Sequence, residues 1–320
     1  MLRWGILGAA KFAREHMAPA IHAARGAELA ALATSDPAKA APFRDLAPGL
    51  AVHDDYAALL ADPGIDAVYI PLPNHLHVDW SLKALQAGKH VLCEKPMTLQ
   101  AEAFDRLIAA RDAAGRLAAE AFMIVHHPQW HWVRAQIAEG AIGPLVHVGG
   151  RFSFDNRDAG NIRNRPETGG GALRDIGVYV LGAARFATGA EPEEIAARIR
   201  WEGGIDAHAE ITARIAGAPY AAYVSMRAAP WQEMLFHGQT GVIRLTAPFN
   251  ANVHGEARVE LHRPGGEVLE RRWPAANQYV AQVEAFGRAV AAGEPYPCPL
   301  EFSRGTQQAL DRAYAVAQDL

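Results

Sequence analysis

The chain is poor in cysteine and lacks any long apolar segment. Its 320 residues include only two cysteines, Cys93 and Cys298, which predicts a protein of a reducing compartment, the cytoplasm, without a disulfide framework. No apolar run approaches the roughly 20 residues that a membrane-spanning helix needs. The sequence enters a strand pattern at once, without a charged and apolar leader, so we expect no secretory signal peptide.

An excess of basic residues is absent as well. The chain has 31 lysines and arginines against 35 aspartates and glutamates, and its formal net charge is -4. Without a basic stripe, nucleic acid is not an expected partner. Internal repeats and low-complexity segments are missing too. The length, together with a hydrophobic content of 50%, predicts two domains with ample cores.

Strand and helix patterns alternate over residues 1–122. The strand patterns cover Leu2 to Leu7, Glu28 to Thr34, Val52 to His53, Ala67 to Pro71, His90 to Glu94 and Leu117 to Phe122. The helix patterns lie near residues 12–25, 37–47, 55–61, 75–87 and 100–114. This order predicts an α/β domain over residues 1–122 with a doubly wound parallel sheet, of the Rossmann type.

Residues 123–320 follow a different order. A helix near 128–139 precedes a strand from Leu145 to Phe154, and a second helix opens with Gly169-Gly170-Gly171. Strands without intervening helices then cover residues 194–201, 207–215, 221–227, 233–236, 242–246, 258–262 and 267–273, and helices near 276–292 and 303–319 end the chain. Polar and apolar residues alternate along these strands, which predicts an α+β domain with an open antiparallel sheet and one exposed face. We expect this domain to bind the substrate and to form a homodimer or homotetramer through that face.

A glycine turn follows the first strand. The segment Gly8-Ala9-Ala10-Lys11-Phe12-Ala13 matches Gly-x-Gly-x-x-Ala, with Ala10 in place of the second glycine. The first glycine permits the tight turn, the small Ala13 lets the helix pack on the sheet, and the helix N-terminus favours a pyrophosphate. Ala10 crowds the approach of the backbone to the phosphate. The pattern predicts a dinucleotide site.

A charged pair, Glu94-Lys95, lies just past the carboxyl end of another strand pattern. In an open parallel sheet this edge is where ligands bind. Pro96 fixes the turn and favours an extended backbone at Lys95, so the ammonium can reach both a cofactor and a substrate hydroxyl. Taken alone, the tripeptide also fits a solvated strand end. The glycine turn earlier in the chain favours the functional interpretation.

The end of the second strand bears on the choice of dinucleotide. NAD enzymes usually carry a carboxylate there that binds the ribose diol. In this chain Thr34 occupies the position of that carboxylate and Ser35 the next one, and Asp36 follows one or two places late. Small hydroxyls leave room for a 2′-phosphate, with which Lys39 could pair, so the pattern favours NADP. A register shifted by one residue would place Asp36 in the slot and favour NAD.

Taken together, these motifs resemble those of the Gfo/Idh/MocA oxidoreductase family over essentially the whole chain. The motifs are the glycine turn, Pro73-Asn74-x-x-His77, the segment from Gly88 to Pro96, and the segment from Gly169 to Tyr179. The phrases Glu120-Ala-Phe-Met and Asn161 to Gly171 are similar to the branch that holds D-xylose dehydrogenases and dimeric dihydrodiol dehydrogenases. The resemblance implies hydride transfer between NADP or NAD and a hydroxyl carbon of a sugar, cyclitol or related polyol.

The resemblance also implies a set of cofactor contacts. His77 either contacts the cofactor or caps its helix locally, and Tyr279 opens a helix that reaches the nicotinamide pocket in family members. The full expected set is Gly8, Ala9, Ala10, Lys11, Phe12, Thr34, Ser35, Lys39, Leu72, Pro73, Asn74, His77, Glu94, Lys95 and Tyr279.

Asp175 and Tyr179 are candidates for catalysis together with Lys95. Their i, i+4 spacing places the first two on one face of a helix, although a core tyrosine and an aspartate near a helix start would give the same pattern. We expect Tyr179 to take the hydroxyl proton, with its pKa, about 10 in free tyrosine, lowered by the Lys95 ammonium. Lys95 would also donate to the substrate oxygen, and Asp175 would orient a hydroxyl or Lys95. Many family members carry histidine where this chain has Tyr179.

Two further groups of polar residues are less specific. Arg163 and Asn164 lie in a polar loop before the glycine run, where they could bind the hydroxyls of a polyol or simply be solvated. His126, His127 and His131 include an i, i+4 pair, but no glutamate or cysteine completes a zinc pattern, so no metal is expected.

Three functions fit the motifs. The leading hypothesis is a dehydrogenase of an aldose such as D-xylose. A dehydrogenase of a cyclic diol or polyol, such as a trans-dihydrodiol or an inositol-like ring, is the second. A dinucleotide-binding sensor without turnover is the third, and it predicts a broken catalytic set, whereas the three candidate residues are all present.

Overall fold

The computed structural model describes residues 1–320 and divides into two compact units. The first comprises Met1–His126 and Gln278–Arg304, and the second comprises His127–Asn277 and Gly305–Leu320. The division differs from the expected one in that residues 123–126 and Gln278–Arg304 belong to the first unit. Phe286 explains this part of the difference, because it is fully buried with its ring centroid 5.0 Å from that of Trp4.

The first unit contains a six-stranded parallel sheet with the order β3-β2-β1-β4-β5-β6. The strands are β1 (Leu2–Leu7), β2 (Ala27–Ala33), β3 (Ala51–His53), β4 (Ala67–Ile70), β5 (His90–Cys93) and β6 (Ala118–Glu120). This order is that of the doubly wound dinucleotide-binding fold, so the expected Rossmann-type sheet is confirmed. Every residue of β4 is buried, as a strand covered on both faces requires.

Helices cover both faces of this sheet. A continuous helical segment over residues 11–23 contains a π-helical turn, Ala13–Met17, followed by α1 (Ala18–Ala23). The others that begin in this unit are α2 (Pro37–Leu46), α3 (Tyr56–Ala61), α4 (His77–Gln86), α5 (Ala103–Ala114), α8 (Gln278–Ala292) and α9 (Leu300–Ala315). No helix of the chain is long and apolar enough to cross a bilayer.

The second unit contains a nine-stranded sheet with the order β14-β13-β12-β11-β7-β10-β9-β8-β15. Its strands are β7 (Leu145–Asp155), β8 (Glu193–Glu202), β9 (Ile205–Ile215), β10 (Ala218–Ser225), β11 (Arg227–Gly238), β12 (Gly241–Leu245), β13 (Arg258–His262), β14 (Val268–Arg272) and β15 (Gln318–Asp319). Most pairs are antiparallel, but β7–β10 and β8–β15 are parallel. The expectation of an antiparallel sheet therefore holds for all but two of its pairs.

Two whole helices, α6 (Pro128–Ala138) and α7 (Val178–Thr188), and the part of α9 from Gly305 onward belong to the second unit. A π-helical turn, Leu173–Gly177, leads directly into α7. α7 packs on the central strands, since a Cβ added to Gly150 of β7 would lie 3.2 Å from Val180. Along β9 and β10, buried side chains alternate with exposed ones, and the exposed side chains lie on the opposite face of the sheet. This leaves one face of the sheet covered by helix and the other exposed.

Candidate cofactor and substrate sites

The glycine turn lies between β1 and the first helical segment. Gly8 has φ +104°, which disfavours any side chain there, and its amide donates to Ala33 O at 3.0 Å. A Cβ on Gly8 would lie 3.1 Å from Leu72, so the turn is packed tightly against the neighbouring loop. Ala9, Ala10, Lys11 and Phe12 form the rest of the turn and the first helical residues. The unpaired amides of that helix start fit the pyrophosphate of a dinucleotide.

The end of β2 presents hydroxyl groups and a carboxylate that is already engaged. Thr34 is buried, and its hydroxyl accepts a hydrogen bond from the Asp36 amide at 3.2 Å. The Asp36 carboxylate accepts from Ala38 N at 3.0 Å, which caps α2, and lies 3.8 Å from Lys39 Nζ. Ser35 is exposed. The carboxylate that would favour NAD therefore serves as a helix cap.

Lys95 lies in a tight turn at the carboxyl end of β5, between the half-buried Glu94 and a cis peptide bond to Pro96. Glu94 is held by Tyr69, whose hydroxyl donates to Glu94 Oε1 at 2.6 Å. Burial raises the pKa of Tyr69 well above its usual value, and the Glu94 carboxylate adds to this, so Tyr69 remains a donor. The structure thus places Lys95 at the carboxyl edge of the parallel sheet, the position expected from the sequence.

A buried carboxylate, Glu120, supports the same turn. It ends β6 and accepts a hydrogen bond from the Met97 amide at 2.8 Å. Burial raises the pKa of Glu120, while hydrogen bonds from Met97 and the Ser303 hydroxyl act in the opposite direction. Sequence reasoning did not assign Glu120 to the site. Its position at the end of a parallel strand, the criterion that identified Lys95, would have found it.

His77 lies at the start of α4 and is fully buried. Its Nδ1 is 2.8 Å from Pro96 O and its Nε2 is 2.7 Å from Leu72 O. Burial lowers the pKa of His77 to about 4 against the effect of the two carbonyls, and the Lys95 charge lowers it further. Both ring nitrogens face backbone carbonyls, which favours the local role over direct cofactor contact. Pro73 and Asn74 lie in the loop that His77 holds.

An aromatic cluster follows the glycine turn. The ring centroid of Tyr279, at the start of α8, lies 5.7 Å from that of Phe12 and 5.3 Å from that of His16. Burial raises the pKa of Tyr279, and the Glu94 carboxylate raises it further. The structure therefore brings Phe12, Glu94 and Tyr279, all expected cofactor contacts, to one region of the first unit. His16 joins them and was not anticipated from the sequence.

In the second unit, Asp175 lies within the π-helical turn and Tyr179 in the first turn of α7. Both are buried. Asp175 accepts a hydrogen bond from Arg163 Nε at 2.7 Å. The ring of Tyr179 lies 5.6 Å from those of Phe152 and Phe249. The expectation that Asp175 and Tyr179 share one helix face rests on regular α-helical geometry. The wider π turn changes the angle between their side chains around the helix axis.

The polar loop before the glycine run divides into two kinds of residue. Asn164 is used by the loop itself, since its amide donates to Asp158 O at 2.8 Å and its oxygen accepts from Arg227 at 3.1 Å. Arg163 is partly exposed and paired with Asp175. Of the two loop residues that were expected to bind substrate, Arg163 is thus the one directly connected to a candidate catalytic residue.

The glycines of this run make room for neighbouring protein groups. A Cβ on Gly170 would overlap Arg163 O, and a Cβ on Gly171 would overlap Asp206 Oδ1. Asp206 accepts from the Leu173 amide at 2.6 Å and from the Tyr314 hydroxyl at 2.7 Å. It therefore fixes the start of the helical segment that carries Asp175, a role that its sequence position did not reveal.

The histidines near residue 126 do not form a metal site in the structure. His127 Nδ1 accepts from the Gln129 amide at 3.1 Å and caps α6. The chain contains no group of three or more histidine, cysteine, aspartate or glutamate residues that could hold a metal ion.

Comparison with known proteins adds to this geometry. Residues 2–122 match a family model described as an oxidoreductase family with an NAD-binding Rossmann fold, and residues 130–244 match the GFO/IDH/MocA C-terminal domain. An uncharacterized oxidoreductase of Rhizobium meliloti, ORF334, is 40% identical, with 97% of this chain and 95% of the relative covered. D-xylose 1-dehydrogenase (NADP(+)) 2 of Haloferax volcanii is 33% identical, with 99% and 98% covered.

A solved structure is also similar over the full length. KijD10, a 3-ketoreductase from Actinomadura kijaniata in complex with NADP and TDP-benzene, has a TM-score of 0.92 and 32% identity, covering 100% of this chain and 98% of that one. The family resemblance and the NAD(P)-binding fold inferred from the motifs are confirmed. The relatives differ in their substrates, so they support sugar-related oxidoreductase chemistry without fixing the sugar.

Proposed function

Because this chain belongs to the GFO/IDH/MocA oxidoreductase family, we propose that it transfers a hydride between NADP and a hydroxyl carbon of an aldose such as D-xylose. The protein is an NAD(P)-dependent oxidoreductase. The observation that carries the proposal is the placement of Lys95 at the carboxyl edge of a parallel sheet whose first turn suits a dinucleotide. A full-length relative that oxidises D-xylose with NADP supports the choice of substrate and coenzyme.

The residues have separate proposed roles. The nicotinamide, when bound, accepts or supplies the hydride. Lys95 donates a hydrogen bond to the substrate oxygen as negative charge develops there. Tyr179 takes the hydroxyl proton in oxidation and returns it in reduction. Asp175, held by Arg163 at 2.7 Å, orients a substrate hydroxyl.

The coenzyme preference rests on the end of β2. The Asp36 carboxylate caps α2 through Oδ1 and lies 3.8 Å from Lys39 Nζ through Oδ2, so the groups nearest the expected ribose are the exposed Ser35 hydroxyl and the exposed Lys39 ammonium. A hydroxyl and an ammonium suit a 2′-phosphate, whereas a ribose diol is usually bound by a carboxylate. This supports NADP over NAD.

A second candidate is reduction of a keto sugar linked to a nucleoside diphosphate. The observation in its favour is the full-length similarity to a 3-ketoreductase solved with NADP and TDP-benzene. The same proton and hydride transfers would then run toward the alcohol. A dehydrogenase of a cyclic diol is the third candidate, on the sequence phrases that begin at Glu120 and Asn161.

The test is nicotinamide absorbance at 340 nm with purified protein and each coenzyme. Pentoses, hexoses, inositols and a trans-dihydrodiol are offered for oxidation, and a dTDP-linked 3-keto sugar for reduction. Reduction of NADP by D-xylose or a close aldose supports the proposal, whereas turnover of the nucleotide sugar alone favours the second candidate.

Variants separate turnover from simple binding. Lys95→Ala and Tyr179→Phe should each lower kcat by about 100- to 10,000-fold, while Tyr223→Phe, on the half-exposed face of β10, should retain it. Binding of coenzyme without turnover of any substrate would contradict the proposal and favour a sensor.

A further inference from the structure

The two polar atoms of the peptide unit that follows Lys95-Pro96 each lie at hydrogen-bond distance from a buried side chain. The Pro96 carbonyl faces His77 Nδ1 at 2.8 Å, and the Met97 amide donates to Glu120 Oε1 at 2.8 Å. These two groups belong to one planar unit, because the carbonyl of residue 96 and the amide of residue 97 share a peptide bond. The two side chains come from different elements, the start of α4 and the end of β6.

Holding both ends of a peptide plane fixes its rotation. The ring of Pro96 fixes the φ angle on the near side, and the clamped plane removes the freedom of ψ at Pro96 and φ at Met97. On the other side, the Lys95 amide donates to Glu94 Oε2 at 3.3 Å, and Glu94 is held in turn by Tyr69. The backbone of Lys95 is therefore restrained in both chain directions.

Burial makes these restraints stiff. His77 is 0% exposed and Glu120 is 4% exposed, so water cannot replace either contact at little cost. His77 also ties the turn to the preceding loop through Leu72 O at 2.7 Å. A neutral imidazole has one N–H and can donate to only one of the two carbonyls at a time, so the hold on Pro96 O requires the tautomer that carries the proton on Nδ1.

We propose that His77 and Glu120 are positioning residues for Lys95, which clamp the Pro96–Met97 peptide plane and so set the direction of the lysine side chain. The inference rests on the proposed function, in which Lys95 contacts the substrate. Neither residue need touch substrate or cofactor. Their effect is on the orientation of Lys95, and a misplacement of about 1 Å at such a group can cost about 100-fold in rate.

The chain allows substitutions that remove one contact at a time. Asn places its amide nitrogen near the Nδ1 position of histidine, and Gln places it near Nε2. His77→Asn therefore retains a donor for Pro96 O, whereas His77→Gln retains one for Leu72 O. Glu120→Gln retains an acceptor for the Met97 amide, whereas Glu120→Ala removes it. His22→Asn and Glu102→Ala, at exposed positions, are the matched controls.

The first measurement is steady-state kinetics at saturating coenzyme. We expect His77→Gln and Glu120→Ala to lower kcat about 10- to 100-fold, with His77→Asn and Glu120→Gln within a few-fold of the parent and both controls unchanged. Glu120→Ala added to Lys95→Ala should lower kcat no further, because its effect passes through Lys95. Equal losses in the two backgrounds would show a merely structural role and overturn the inference.

The second measurement does not depend on activity. The chain has five lysines, so ¹³Cε-labelled lysine gives a simple spectrum in which Lys95→Arg assigns the Lys95 resonance. We expect His77→Gln and Glu120→Ala to shift or broaden that resonance and to leave the other four in place. An unchanged Lys95 resonance in a folded variant would refute the clamp, even if the other variant folds too poorly for kinetics.

The two measurements also distinguish the inference from the proposed function. If Lys95→Ala retains full kcat, the proposed role of Lys95 fails, although the NMR experiment still decides whether the clamp exists. If Lys95→Ala loses activity while His77→Gln and Glu120→Ala do not, the proposed function stands and the clamp is wrong.

Discussion

At the scale of single residues, Asp36 shows how one hydrogen bond changes the meaning of a motif. The sequence left open whether this carboxylate binds a ribose diol, because a shift of one residue would move it into the slot. In the structure it accepts from Ala38 N and caps α2. A Ser or Asp side chain before a helix commonly has this capping role, and the Asp36-Pro37 pair at a helix start was the signal for it.

Because Asp36 is used as a helix cap, a new carboxylate beside it should change the choice of coenzyme. Ser35→Asp adds a free carboxylate beside the expected 2′-phosphate position, and like charges repel. We expect the ratio of kcat/KM for NADP to that for NAD to fall by at least about 10-fold, an amount equal to 1.4 kcal/mol. Initial rates with both coenzymes measure it.

A matched pair of charge removals tests the same site. Lys39→Met should raise KM for NADP several-fold and leave KM for NAD unchanged, whereas Arg44→Met, exposed on the same helix, should change neither. If Lys39→Met affects both coenzymes equally, Lys39 does not bind the 2′-phosphate.

Asp206 gives a prediction on pH. It is 1% exposed, and burial raises its pKa to about 6 despite the hydrogen bonds from Leu173 and Tyr314. In the unfolded chain the value is about 3.9, so the folded state binds this proton more tightly. The resulting stabilisation is complete below the unfolded value and is lost as the pH rises through about 6.

Urea unfolding at two pH values measures this contribution. Relative to Asp206→Asn, the free energy of unfolding of the parent protein should increase by about 1.4 kcal/mol between pH 7.5 and pH 5. Asp158→Asn, at an exposed position, should show the pH dependence of the parent. An identical pH dependence in the parent and Asp206→Asn would mean that Asp206 does not titrate in this range.

Residues such as Asp206 mark where prediction from sequence ends. Lys95 and Tyr179 stand in recognisable local phrases, so their positions in the fold could be predicted. Asp206 lies 33 residues from Leu173 along the chain, and nothing near it in sequence indicates that partner. A contact between distant segments depends on the packing of the sheet, which no local pattern encodes.

At the scale of elements, two of the helical segments that carry candidate site residues contain a π-helical turn. One covers Ala13–Met17 after the glycine turn, and the other covers Leu173–Gly177 before α7. Such turns are rare and occur often at functional sites. The sequence predicted both helices but not the turns, because a segment of five residues is too short to show a period that differs from that of an α-helix.

The start of the second of these segments gives a prediction on stability. Gly171 has φ +126°, and a Cβ there would overlap the Asp206 carboxylate. Gly189, at the end of α7, has φ +69° with open space around it. Gly171→Ala therefore combines backbone strain with a steric clash, whereas Gly189→Ala adds backbone strain alone.

We expect Gly189→Ala to lower the free energy of unfolding by about 1 to 2 kcal/mol and Gly171→Ala to lower it by about 3 kcal/mol or more. Chemical denaturation of both variants measures the difference. Equal losses would indicate that Asp206 moves aside without loss, and that the glycine serves only the backbone conformation.

The parallel pair β7–β10 shows that strand direction could not be predicted from the sequence pattern. Alternating polar and apolar residues identified the strands, and most of them are antiparallel neighbours as expected. Residues between these two strands form α7 and the hairpin β8–β9, which together supply the long crossover that a parallel pair needs. Strand patterns predict that strands exist, whereas their order and direction depend on how the connections pack.

At the scale of the whole molecule, the exposed face of the second unit's sheet bears on assembly. Thr212, Ala221, Gly149 and Leu235 lie in register across β9, β10, β7 and β11, which gives a row of small and apolar groups. Beside this row Glu233 pairs with Arg151 at 2.8 Å and with Arg244 at 3.1 Å. An apolar centre with charged groups at its border is the usual composition of an interface between subunits.

The oligomer proposed from the sequence therefore has a test at the centre of this row. Ala221→Arg places a charge where a second copy would bury the row, so we expect the molar mass measured by light scattering to fall from that of a dimer or tetramer to a smaller species. Ala61→Arg, on the exposed end of α3 in the first unit, should leave the mass unchanged. Circular dichroism at matched concentration separates dissociation from unfolding. If the parent chain is already a monomer at micromolar concentration, or if Ala221→Arg keeps the parental mass, this face is not the interface, since a buried unpaired arginine there would be strongly unfavourable.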